Sequence, residues 1–124
     1  PFIQQVQLLG DTGETVEEEA VVDDGAMANA IDTGIYEMIK EQLGKLTWTS
    51  RVLLMANGDL VPSRGYWSGE VCFGGLWKPG RFEVFPSGGA WAMLFGKPLL
   101  EAFGAWHGYE EDVILLRSAG GATV

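Results

Sequence analysis

An aspartate followed two residues later by glycine occurs three times: Asp11-Thr12-Gly13, Asp23-Asp24-Gly25 and Asp32-Thr33-Gly34. A carboxylate at the end of a buried apolar strand, on a tight glycine-bearing loop, can meet a second copy of itself when two such loops pack together. Two carboxylates that close cannot both ionise, so the pair holds one proton and works as acid and base on a single water. Context separates the three motifs. Asp11 lies in a turn close to the chain start, followed by Glu14 and the run Glu17-Glu18-Glu19, with no earlier hairpin to support it. It reads as turn chemistry. Asp32-Thr33-Gly34 runs straight into a helical pattern, where Asp or Thr is an ordinary cap. Asp23 follows Ala20-Val21-Val22 after a complete hairpin and precedes Gly25-Ala26. It is the candidate catalytic carboxylate.

Other chemistries have weaker support. One cysteine, Cys72, and one histidine, His107, exclude an internal disulfide and a zinc site within one chain. Cys72 reads as a small apolar strand residue, and His107, between Trp106 and Gly108, as an exposed turn residue with no nucleophile beside it. Glu17-Glu18-Glu19 and Asp23-Asp24 lack the loop spacing of a calcium site and read as a solvated acidic strand edge. No metal and no cofactor are expected. Trp48, Trp67, Trp77, Trp91 and Trp106 could form a sugar-stacking platform, but core and dimer packing is the simpler role for them.

The elements that must position Asp23 come from a chain of 124 residues, enough for one domain with a core. Eighteen glycines and five prolines argue for short strands and tight turns over a helical bundle. The apolar segment from Phe2 to Leu9, a turn at 10–13 and an extended stretch from Thr15 to Val22 predict a hairpin. Ile35, Met38, Ile39 and Leu43 fall at helical spacing, with Asp32 or Thr33 as N-cap and Gly44 as stop. Arg51 to Met55, Asn57-Gly58 and Leu60-Val61 predict a second hairpin. Further strands are expected at 66–73, 77–85 and 90–95, a short helix from Pro98 to Gly104, and a last strand over 112–116. No internal repeat is visible.

A net charge of −9 and a pI near 4.4 disfavour nucleic acid as a partner. The longest apolar stretch, 90–106, is broken by Lys97, Pro98 and Glu101, so no membrane span is expected and the chain reads as soluble and intracellular. It starts at Pro1 without a leader pattern, which reads as a fragment or a processed product.

VVDDGAMANAID resembles the catalytic loop of retropepsins, particularly those of gypsy-type LTR retrotransposons, where two apolar residues precede Asp-Ser/Thr-Gly-Ala. LLMANGDLVPSRG resembles the flap hairpin of that family, and AMLFGKPLLEAF its second apolar-apolar-Gly motif and following helix. The resemblance runs from Phe2 to Leu116. It implies an all-β, closed, barrel-like acid-protease fold over residues 1–117 with one or two short helices, and a mobile tail over 118–124. It further implies a homodimer that hydrolyses peptide bonds, with Asp23 catalytic and Asp24, Gly25 and Ala26 completing the active-site loop. Ala56, Asn57, Gly58 and Asp59 would form the flap tip, and Met27, Ala28, Met55 and Leu60 the walls of the substrate cleft. The substrate would be a peptide or the polyprotein that contains the domain, and the dimer seam would come from Phe2-Ile3 and the strand 112–116.

The pattern departs at Asp24, where the family has Thr or Ser. A hydroxyl both donates and accepts, whereas an ionised carboxylate only accepts, so the brace between two loops loses a donor at neutral pH. Dimerisation and activity are therefore expected to be favoured by acid. Two alternatives stay open: an inactive retropepsin-like dimerisation or peptide-binding module, and a carbohydrate-binding β domain.

Overall fold

The computed structural model describes residues 2–55, 57–104, 106–108 and 113–115; Ala56, the expected tail over 118–124 and residues Asp112 and Leu116 of the expected last strand lie outside them. For Phe2, 106–108 and 113–115 it describes the backbone alone.

Strands β1 (Phe2–Leu9) and β2 (Thr15–Val22) form the expected hairpin, in register from Phe2 opposite Val22 to Leu9 opposite Thr15. Alternation puts Val6 and Leu8 inside and leaves Ile3, Gln5 and Gln7 outside. Next come β3 (Asn29–Asp32), α1 (Thr33–Leu43), β4 (Val52–Leu54) and β5 (Leu60–Pro62). Then follow β6 (Tyr66–Phe73), β7 (Leu76–Phe85), β8 (Met93–Phe95), α2 (Lys97–Ala102), β9 (Trp106–Gly108) and β10 (Val113–Leu115). Six strands close into a barrel in the order β1-β2-β8-β3-β7-β6, while β4–β5 and β9–β10 are separate two-stranded sheets. This is the all-β closed barrel with two short helices that the sequence implied.

The barrel interior is filled by Val6, Leu8, Ile31, Trp67, Val71, Phe82, Val84, Met93, Phe95 and Phe103, among others. Phe73, Phe95 and Phe103 stack on one another at centroid separations of 5.0–5.7 Å. β7 changes character along its length: its first half alternates, but Phe82, Glu83, Val84 and Phe85 are all buried. Phe82 and Val84 point into the barrel, and Phe85 belongs to a second apolar cluster on the barrel's outer face. There Ala30, Leu53 and Phe85 are buried, with Ala28, Met55, Val61, Trp91 and Leu94 packed against them. Leu53 and Val61 come from the β4–β5 hairpin, so this cluster fastens the hairpin over the barrel wall.

Several expectations need correction. β3 was not foreseen: Asn29–Asp32 is a strand, paired parallel to β7 and antiparallel to β8. The strand expected over 90–95 begins only at Met93, because Ser87 N–H donates to Asp32 Oδ1 at 2.8 Å and Asp32 N–H to Ala92 O at 2.9 Å, drawing that segment across the start of α1. On α1, Tyr36 takes the buried position and Met38 is 76% exposed; the Tyr36 hydroxyl donates to Gly44 O at 2.8 Å, closing the helix end. His107 lies on β9, paired with Ile114, and not in a turn. Trp67 is a core residue, but Trp48 and Trp77 are exposed. Among the described residues no helix is long and apolar enough to cross a membrane.

Candidate active site

β2 ends at Val22 and the chain turns sharply. Asp23 N–H donates to Phe95 O at 3.1 Å, Ala26 N–H to Asp23 O at 3.1 Å, and Gly25 N–H to Asp23 Oδ1 at 2.9 Å. The side chain of Asp23 therefore bends back on its own loop as an Asx turn does, which fixes one oxygen and leaves the carboxylate exposed. The topology explains its position. β8 is inserted between β2, to which it is parallel, and β3, to which it is antiparallel, so the loop from β2 to β3 must arch over the end of β8.

That arch leaves no space for a side chain at Gly96. A Cβ there would collide with Ala28 O and stand 2.9 Å from Ala26 O, and both obstacles are backbone. Lys97 N–H donates to Ala26 O at 2.8 Å. Beneath it, Gly96 N–H donates to Asn29 Oδ1 at 3.0 Å while Asn29 Nδ2 donates to Arg81 O at 3.0 Å. The buried Asn29 amide thus ties the end of β8 to β7 and satisfies both its own polar ends.

A cleft of about 460 Å³ runs between the loop and the β4–β5 hairpin. It is lined by Asp23, Gly25, Ala26, Met27, Ala28, Arg51, Val52, Leu53, Leu54, Met55, Phe85, Trp91 and Leu94. Phe85 and Trp91 meet edge to face at 5.4 Å and form one apolar wall. The cleft is apolar with one carboxylate and one guanidinium at its margins, which suits an extended chain held by its side groups.

The structure brings Asp23, Gly25, Ala26, Met27, Ala28 and Met55 together on this cleft. Asp24 is exposed beside Asp23 and does not line it. Asn57, Gly58 and Asp59 form the hairpin tip: Gly58 adopts φ 90°, Asp59 N–H donates to Asn57 Oδ1 at 3.0 Å, and Met55 N–H to Asp59 O at 2.8 Å. Leu60 is 69% exposed and is not part of the cleft lining; Ala56 lies outside the described residues. Sequence reasoning gave no site role to Asn29, Arg51, Val52, Leu53, Leu54, Phe85, Trp91 or Leu94. Asn29, Leu53, Leu54 and Leu94 lie within the quoted motifs, but strand alternation does not say which face is which.

The other two Asp-x-Gly motifs are structural. Asp32 caps α1, its Oδ2 accepting from Gly34 N–H at 3.0 Å and Ile35 N–H at 3.3 Å. Burial works to raise its pKa, but donors on Ser87, Ile35 and Gly34 outweigh it and hold the carboxyl below its ordinary value. Asp11 sits in the β1–β2 turn, its N–H donating to Leu43 O at 3.2 Å. Among the described residues no group of three His, Cys, Asp or Glu side chains is placed to hold a metal ion.

A closed barrel in which an acidic loop arches over an inserted strand, with a hairpin above it, is the retropepsin-like fold. The retroviral protease-like domain of Ddi1 from Leishmania major superposes with a TM-score of 0.67 at 15% identity, covering 98% of this chain and 90% of that one. A retropepsin-like aspartic protease from Rickettsia conorii gives a TM-score of 0.58 at 24% identity, over 92% of this chain and 90% of its own. No protein-family profile matches the sequence, and no curated protein resembles it significantly.

Proposed function

We propose that the chain is an aspartic endopeptidase that works as a homodimer, with Asp23 the carboxylate each chain contributes. The observation that carries this reading is the placement of Asp23: a barrel loop presents its carboxylate to an apolar cleft beneath a hairpin. Among the described residues one chain offers a single such aspartate, and the chemistry needs two sharing a proton. In the dimer, one Asp23 takes a proton from water as the water attacks the peptide carbonyl, while the other donates to the carbonyl oxygen. The β4–β5 hairpin acts as the flap, with 57–59 at its tip closing over a peptide that lies extended and pairs its backbone as an added strand. Met27, Ala28 and Met55 supply side pockets, and Leu60 meets substrate only if the hairpin moves. The seam is assigned to the Phe2-Ile3 end of β1, where Ile3 is exposed, and to the strand 112–116, whose described part, β10, pairs with β9 outside the barrel. A polyprotein containing this domain is the natural substrate that the gypsy-type resemblance suggests.

The test is cleavage of a mixed peptide library from pH 3.5 to 7.5, with Asp23→Asn in parallel. Cleavage that disappears in the variant supports the reading. A dimer that cleaves nothing at any pH would instead favour an inactive peptide-binding module, consistent with Asp24 standing where the family has a hydroxyl.

A further inference from the structure

Three charged side chains meet beside the Asp23 cleft, and the proposed mechanism uses none of them. Glu83 Oε2 accepts from Arg81 Nε at 3.0 Å and from Arg51 Nη1 at 3.4 Å. The anion is hidden and the cations are not: the Glu83 side chain is 1% exposed, those of Arg51 and Arg81 43% and 49%. A visiting group therefore meets the positive side of the cluster, and two guanidinium groups to one carboxylate leave a positive charge uncompensated. In a chain of net charge −9 this is a local reversal of sign.

Both arginines line a cavity of about 200 Å³, whose other walls include Met27, Pro79, Pro98 and Leu99. Asn29 lines it too, but its amide is already engaged with Gly96 N–H and Arg81 O, so the guanidinium groups are the side-chain donors left to the cavity. Met27, Ala28 and Arg51 line both this cavity and the Asp23 cleft, so the two adjoin. Arg81 uses Nε for Glu83, and its terminal amino groups have no acceptor among the described residues. Its guanidinium carbon lies 3.6 Å from the centre of the Tyr66 ring, so the group is held on two sides before any ligand arrives and loses little freedom on binding. Glu70 lines a neighbouring open groove with Ser68 and Arg81, and not this cavity.

From this we infer that the cavity is a subsite for a carboxylate of a peptide bound in the cleft, from an aspartate or glutamate side chain or from the C-terminus. Arg51 and Arg81 reach the same oxygen of Glu83, so their guanidinium groups stand side by side and one further carboxylate can bridge them. Its oxygens accept from Arg51 and from the terminal amino groups of Arg81 in charge-assisted bonds, which are stronger than those a neutral amide makes. Lysine and arginine are repelled by the uncompensated charge, and leucine or methionine would cover the guanidinium groups without giving them an acceptor. The inference rests on the cleft being a peptide-binding groove, as proposed above, but not on catalysis.

The experiment is binding of a positional-scanning peptide library to the Asp23→Asn protein at pH 6, where peptide carboxylates are ionised, alongside cleavage by the unaltered protein. One series has both peptide ends blocked, and a second has a free C-terminus. The expected result is a preference of about tenfold or more for Asp or Glu over Asn and Gln at one position of the blocked series, or a gain of that size on freeing the C-terminus. The first outcome supports the subsite with a side chain as its occupant, the second with the terminal carboxylate. Arg51→Met and Arg81→Met should each abolish the preference, whereas Glu83→Gln, which removes the hidden negative charge, should strengthen it. Opposite responses separate recognition of charge from a merely structural role, and Arg51→Met, at a half-exposed residue, keeps the test alive if the other variants do not fold. No acid preference in either series, no peptide binding, or a preference unchanged in Arg51→Met would each overturn the inference. Cleavage without the preference would remove the subsite and keep the peptidase; the preference without cleavage would do the reverse.

Discussion

At the scale of single residues, three aspartates with the same local motif stand in three settings, a turn, the edge of the cleft and a helix cap, and the last two can be tested separately. Asp23→Asn should lower cleavage by roughly 10²–10⁴-fold without altering thermal unfolding, because the carboxylate is exposed and its contacts are local. Asp32→Ala removes the α1 cap and the tie to Ser87 and should cost about 0.5–2 kcal/mol by chemical denaturation. The sign of its pH dependence follows from the lowered pKa: the stabilisation by Asp32 is complete above the ordinary carboxyl value of 3.8 and is lost as pH falls through the lower folded value. The variant and the unaltered protein should therefore converge in stability only below that range. An acid optimum near pH 4.5 would not be masked by loss of this cap.

At the scale of elements, the active loop depends on the end of β8. Gly96→Ala drives a methyl group into the carbonyls of Ala26 and Ala28, which cannot yield without moving the loop. We expect about 1–3 kcal/mol of destabilisation and loss of cleavage larger than that destabilisation explains. Cleavage measured well below the unfolding midpoint separates the two effects. The hairpin is held differently, by Leu53 and Val61 against Phe85, Trp91 and Leu94. Leu53→Ala should raise KM more than it lowers kcat, since it loosens the roof of the cleft and leaves Asp23 untouched.

At the scale of the whole molecule, the single chain holds half of the chemistry proposed for it. Two chains each carrying a charge of −9 repel, and four carboxylates from Asp23 and Asp24 would gather near the axis that relates them. Dimerisation should therefore be tighter at pH 4.5 than at pH 7.5 by sedimentation, and Asp24→Thr should reduce the difference by restoring a neutral donor. Equal affinity at the two pH values would remove the electrostatic account of assembly.

Much of this architecture was legible in the amino-acid order because local rules govern it. Alternation in Phe2–Leu9 and Thr15–Val22, a capping aspartate before α1, Asn57-Gly58 at a hairpin tip and Pro98 in the first turn of α2 all act within a few residues. The position of Asp23 after a complete hairpin was readable for the same reason. What remained hidden depends on pairing between distant segments. Nothing within Asn29–Asp32 marks it as a strand until β7 and β8 stand on either side of it, and Met38 and Tyr36 exchange places only once the barrel selects a helix face. Glu83 reads as one charge in an alternating strand; it becomes a buried acceptor beside the cleft because β7 passes between two apolar layers and carries the residue in with Phe85. The sequence by itself singled out Asp23 as the candidate carboxylate, and the tertiary structure alone decided what surrounds it, since burial and neighbours are properties of the closed barrel and not of any short stretch of chain.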